Sequence, residues 1–130
     1  MKKLEDFLRK LDLEYFGNSK HKMQAAKLFE TDGALLLDVR THEENRILPL
    51  KMQGVIEAIN IPMNELPDRL DEISKNRVIG LFCSSQVRSS IAFGYLQALG
   101  FENVRILEGG YASLLEELKP GKVLKSLSSK

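Results

Sequence analysis

Four short runs, ALLLDV (34–39), AINIP (58–62), RVIGLF (77–82) and NVRIL (103–107), limit the fold more than anything else in the sequence. Each is five or six residues long, mostly apolar and bounded by turn formers or charges, so each has the length of a strand and is too short for a buried helix. A strand that is apolar on both faces needs cover on both faces, which is the environment of a parallel sheet between helices. The intervening segments supply those helices. Leu66, Leu70 and Ile73 share a face after Asn64, and Ile91, Ala92, Tyr95, Leu96 and Leu99 form a stripe that stops at Gly100, a left-handed cap. Tyr111, Leu114, Leu115 and Leu118 form another stripe before Pro120. Upstream, Met23, Ala26 and Phe29 suggest a short helix ended by the Asp32-Gly33 turn, and Thr41 with Glu44 has the spacing of a capping box. This alternation predicts an α/β domain, three layers deep, with a mainly parallel central sheet of four to five strands.

The chain has 130 residues, 43% of them hydrophobic, which suits one domain with a real core. Leu4, Phe7, Leu8, Leu11 and Tyr15 read as an amphipathic helix ended by Gly17-Asn18, so residues 1–20 are expected to form an extension packed on the domain surface. Residues 21–118 form the domain itself. The last stretch, KPGKVLKSLSSK (119–130), has four lysines and no acid and reads as a frayed basic tail. A net charge of +1 gives no overall field to attract nucleic acid or an anionic membrane, so neither is an expected partner and any anion must be caught locally. No apolar run is long enough to span a bilayer, and MKKLEDFLRK lacks the apolar centre of a signal peptide; the expected compartment is the cytoplasm. One cysteine forms no internal disulfide, and His21 and His42 lie too far apart for zinc-ligand spacing, so no metal is expected.

That cysteine is Cys83, directly after the RVIGLF strand and ahead of the Ile91 stripe. The position is the carboxyl end of a strand, where open α/β sheets bind ligands. A lone cysteine is often a buried apolar filler, but here the apolar run has ended, and the thiol is expected to reach the open edge of the sheet. The following loop, Ser84, Ser85, Gln86, Val87 and Ser89, can turn backbone N–H groups inward as an anion cradle at a helix N-terminus. Such a field favours thiolate over thiol. Arg88 adds a cation whose fork matches an oxyanion.

The loop C-S-S-Q-V-R-S (83–89) resembles the active-site loop of the rhodanese-type sulfurtransferases, and the resemblance runs from about Met23 to Leu118. LLLDVRTHEEN resembles the family's strand ending in Asp-Val-Arg before an acidic helix. AINIP and FENVRILEGG are similar to its later strands, the second with paired glycines. MQGVIE (52–57) departs from the family's Gly-His-Ile-Pro-Gly run, the loop lacks a frequent central glycine, and Leu114 stands where tryptophan is usual. The resemblance implies a rhodanese-like fold and a thiosulfate sulfurtransferase acting through a Cys83 persulfide, with Cys83 and Arg88 catalytic and no cofactor. It also implies a small-molecule donor, thiosulfate or a persulfide, and an external acceptor, cyanide or a thiol, with a sulfur-relay protein as a possible partner. Supporting roles are expected for Asp38 and Arg40, as an ion pair holding neighbouring loops, and for Glu108, Gly109 and Gly110, as a loop beside the pocket. His42 reads as a surface residue. Two rivals remain: a rhodanese-like binding or regulatory module without turnover, and a cysteine phosphatase or arsenate reductase. Family phosphatases carry a loop one residue longer, whereas the six residues from Cys83 to Arg88 suit a single sulfur atom better than a phosphoryl group.

Overall fold

The computed structural model of the protein describes residues 2–128; Met1, at the head of the extension, and Ser129 and Lys130, at the end of the tail, lie outside the described residues. Five strands, β1 (Lys22–Met23), β2 (Leu35–Asp38), β3 (Glu57–Asn60), β4 (Ile79–Phe82) and β5 (Val104–Leu107), form one sheet in the order β1-β5-β4-β2-β3. Every pairing is parallel. The four longer strands are the four apolar runs. Alternation along them feeds two cores. Leu35 and Leu37 of β2 with Ile79 and Leu81 of β4 face one cluster, while Leu36 and Phe82 face the other. The sheet is therefore the middle of the three layers expected.

The helices are α1 (Lys2–Leu8), α2 (Leu13–Gly17), α3 (Ala25–Glu30), α4 (His42–Ile47), α5 (Val87–Ala98), α6 (Gly110–Glu116) and α7 (Pro120–Ser128). The capping box that opens α4 is complete. Helix α5 ends before Gly100, whose φ of +96° fits the left-handed stop.

Several local expectations are corrected. The N-terminal stripe is two helices rather than one, because the Asp12 carboxylate accepts from the Tyr15 amide at 2.9 Å and starts a second helix. Of that stripe Phe7 is buried, its ring edge-on to Phe93 of α5 at 5.8 Å, while Leu4 and Leu8 are exposed. Met23 sits in the edge strand β1, not in the following helix. Residues 63–72 form two 3-10 turns, Met63–Asp68 and Leu70–Glu72, instead of an α-helix; Pro67 has no N–H to continue one. In α5 the buried side is Ser89, Ala92, Phe93 and Leu96, and Ile91 faces out. In α6 Leu114 alone of its leucines is buried. The tail is not frayed over 120–128: it is helical, and Leu127 packs so near Gly54 that a Cβ there would lie 3.0 Å from it. No helix among the described residues is long and apolar enough to cross a membrane.

Candidate active site

The register of β2 on β4 pairs Asp38 with Phe82, and the Val39 amide donates to the Phe82 carbonyl at 3.0 Å. Cys83 and Arg40, one and two residues further on, therefore emerge at the same carboxyl edge. There the chain turns from β4 into α5 through Ser84, Ser85 and Gln86. Gln86 adopts a φ of +71°, a left-handed conformation that costs a non-glycine residue about 1–2 kcal/mol.

The strained turn directs donors at the sulfur. The Ser89 amide donates to Cys83 Sγ at 3.3 Å, and the amides of Ser85 and Gln86 also support the anion. Burial is the largest single influence on the thiol and pushes it up. The Ser89 hydroxyl and the three amides together outweigh burial and hold Cys83 below the ordinary thiol range. Ser89 is itself fully buried, and its Oγ makes no hydrogen bond, so its hydroxyl is free to turn to the sulfur as an acceptor. The expectation of a thiol open at the edge is corrected in one respect: Cys83 is 1% exposed, because its side chain points to the core face beside Val39 and Ile61 and the loop closes over it. Ser85 and Val87, on the outer side of that loop, are exposed.

Arg88 does not point freely into solvent as an anion clamp. Its Nη1 and Nη2 donate to Glu44 Oε1 and Oε2 at 2.6 and 3.0 Å, and Nη2 also donates to Ser84 Oγ at 3.1 Å. Glu44 belongs to the site and escaped the sequence reading, which saw it only as half of the Thr41 capping box. It performs both tasks, since Oε1 also accepts from the Thr41 amide at 3.1 Å. The bond from Arg88 is the main reason its carboxyl is lowered to about 2. No local pattern signals a partner 44 positions away.

Asp38 and Arg40 form the expected ion pair, and both are buried. Arg40 Nε and Nη2 donate to the two Asp38 oxygens at 2.8 Å each, Nη1 donates to the Tyr111 hydroxyl at 2.9 Å and Nη2 to the Leu48 carbonyl at 2.9 Å. The guanidinium lies beside the edge-on pair of Phe82 and Tyr111, 5.4 and 5.5 Å from their centroids, which are 5.3 Å from each other. Asn60 joins in by donating to the Asp38 and Arg40 carbonyls. One side chain thus ties together the ends of β2, α4 and the start of α6, all beside the cysteine loop. Gly110 sits against that loop: with φ +55°, its missing Cβ would fall 2.7 Å from the Ser84 carbonyl oxygen. Gly109, at φ +85°, precedes it as the helix cap. Glu108 turns away toward the sheet edge, where it pairs with Lys22 at 2.9 Å. His42 is half-exposed and bonds to Glu65 at 2.6 Å.

Among the described residues no cluster of three or more His, Cys, Asp or Glu side chains is placed to hold a metal ion. Residues 22–117 match the model of the rhodanese-like domain. A sulfurtransferase of Allochromatium vinosum is 38% identical over 85 residues, covering 65% of this chain and 74% of the relative. Among solved structures, a rhodanese-related protein from Thermoplasma volcanium superposes with a TM-score of 0.63 at 30% identity, covering 77% of this chain and 95% of that one. An NAD-dependent persulfide reductase from A. fulgidus gives 0.59 at 34% identity over 77% of this chain, which spans only 17% of the reductase. These relatives support a general sulfur-transfer role. With five parallel strands, the loop between β4 and α5 and the matched span in agreement, the chain belongs to the rhodanese-like domain family.

Proposed function

We propose that the protein is a sulfurtransferase that carries a sulfane sulfur as a persulfide on Cys83. The Cys83 thiolate attacks the outer sulfur of the donor, the donor's S–S bond breaks, and its electron pair leaves on sulfite from thiosulfate or on a thiolate from an organic persulfide. An external nucleophile, cyanide or a thiol, then attacks the outer sulfur now on Cys83 and regenerates the thiolate. Each half is a simple displacement, the pattern of covalent catalysis with ping-pong kinetics. The donors of the loop stabilise negative charge in both the resting thiolate and the persulfide. Because the sequence holds a single cysteine, no second internal thiol competes to turn the persulfide into a disulfide. Arg88, its charge paired with Glu44, fixes the loop through Ser84, while Arg40, Asp38 and Gly110 hold the loop's base. Access to the sulfur requires the outer part of the loop, where Ser85 and Val87 are exposed, to shift.

The observation that carries this reading is the convergence of Ser89, Ser85 and Gln86 donors on a thiol whose acidity they raise against the effect of burial. The test is to incubate the protein with thiosulfate or an organic persulfide, remove the excess and determine its mass. The expected result is a gain of one sulfur atom that cyanide or a dithiol removes and that Cys83→Ser does not acquire. A wild type that gains no sulfur from either donor refutes the proposal, and hydrolysis of an aryl phosphate would support the phosphatase rival instead.

A further inference from the structure

The arginine that sequence reasoning offers as an anion clamp is already clamped. Its fork meets both oxygens of Glu44, and the remaining bond goes to Ser84. We propose that Glu44 determines donor choice at the Cys83 site: by neutralising Arg88 it steers the site toward organic persulfides and away from the thiosulfate dianion. This rests on the sulfur-transfer reading above and narrows its donor.

Charge around the loop supports it. The Glu44 carboxyl, lowered to about 2, is ionised at any working pH. The buried cation Arg40 is matched by Asp38. Arg88 borders a groove of about 450 Å³ whose lining includes Thr41, His42, Glu43, Pro62 and Glu65, and among the described residues it is the one arginine or lysine lining it. Glu65 is held by His42 and Arg69. Glu43 in turn lies 4.0 Å from Arg46. With Glu43, Glu65 and Arg88 all paired, the groove offers an arriving donor no unpaired arginine or lysine among the described residues to offset the negative charge of the Cys83 thiolate. Thiosulfate brings two negative charges to that surface, whereas an organic hydropersulfide brings at most one, so repulsion falls harder on thiosulfate.

The chemistry differs accordingly. With a hydropersulfide, the Cys83 thiolate forms a bond to the terminal sulfur, which keeps its proton. The S–S bond breaks and its electron pair leaves on the inner sulfur as a thiolate. With thiosulfate the same attack expels sulfite as a dianion, and three negative charges must gather in the transition state beside an arginine whose own charge is spent.

The test measures the second-order rate of Cys83 persulfide formation by mass, with thiosulfate and with the hydropersulfide of 2-mercaptoethanol. Wild type, E44Q and E44D are compared. Glutamine retains an oxygen for the Thr41 amide but frees the arginine's charge; aspartate retains the charge. The ratio of thiosulfate to hydropersulfide rates should rise about tenfold in E44Q, the scale of one unit charge acting through a partly solvated mouth, and should stay at the wild-type ratio in E44D. An unchanged or lowered ratio in folded E44Q overturns the proposal, and so does an equal rise in E44D, which would mark a loosened loop rather than a charge effect. In wild type alone, added salt should speed thiosulfate loading more than hydropersulfide loading, and a thiosulfate rate that does not respond to salt also overturns it. If wild type takes sulfur from neither donor, the sulfur-transfer reading itself has failed, and the donor proposal with it.

Discussion

Replacing Arg40 by methionine tests whether the fold at the site hangs on one buried cation. Methionine keeps an unbranched stem beside Phe82 and Tyr111 but removes the four side-chain hydrogen bonds that Arg40 donates. The Tyr111 hydroxyl and Leu48 carbonyl lie in partly solvated residues and can turn to water, so their loss adds little. Asp38 cannot: its side chain is 1% exposed, and after the substitution it keeps only the Arg40 backbone amide, at 3.0 Å. Breaking a buried pair by removing one partner costs about 3–5 kcal/mol, a large share of the roughly 5–15 kcal/mol that holds a domain folded. At an m-value of about 2 kcal/mol/M the urea midpoint should drop by roughly 2 M. Adding Asp38→Asn removes the stranded charge and should restore about 1–3 kcal/mol. The assay is urea unfolding at neutral pH followed by far-UV circular dichroism. A loss below about 1 kcal/mol for the single variant, or no recovery in the double variant, would refute the claim that a desolvated ion pair anchors these loops.

Two further outcomes follow from the loop geometry. Alkylation of Cys83 by iodoacetamide should rise with pH and reach half its maximum below the ordinary thiol pKa, because only the thiolate reacts and the loop donors favour it; Ser89→Ala removes one donor and should move the midpoint to higher pH, as read from rates across a pH series. An unmoved midpoint would remove the Ser89 hydroxyl from the site. Gly110→Ala places a methyl 2.7 Å from the Ser84 carbonyl at φ +55°, so it should cost about 1–3 kcal/mol and slow persulfide formation, whereas Gly121→Ala, with open space around its Cβ, should do neither.

The strands were legible because their signal is local. A run such as ALLLDV has no helical or solvated alternative that buries it as well, and each of the four runs contains or overlaps a paired strand. The capping box at Thr41 and the left-handed Gly100 are likewise written within a few residues. Apolar periodicity found the helices of the Ile91 and Tyr111 stripes but misjudged two others, where Asp12 divided the N-terminal stripe and Pro67 favoured 3-10 turns; the tail, read as frayed from its lysines, formed a helix against Gly54. In each case a cap, a missing donor or a tertiary contact overrode the pattern. At the candidate site, the Cys83 loop and the Asp38–Arg40 pair were each legible in the sequence because each is local: Asp38 and Arg40 are two residues apart, and Cys83 and Ser89 six.

By itself, then, the sequence determined the parallel three-layer fold and the placement of a lone thiol at the carboxyl edge of β4, both consequences of short-range polarity and strand length. Only the tertiary structure decided that the thiol is covered rather than open and that Arg88 is neutralised by Glu44. It also decided that Tyr111 and Leu48 complete the Arg40 clamp. Those contacts join residues far apart in the chain, and their energies depend on burial and on the distance between charges, neither of which exists until the sheet has brought β2, β4 and their following loops to one edge.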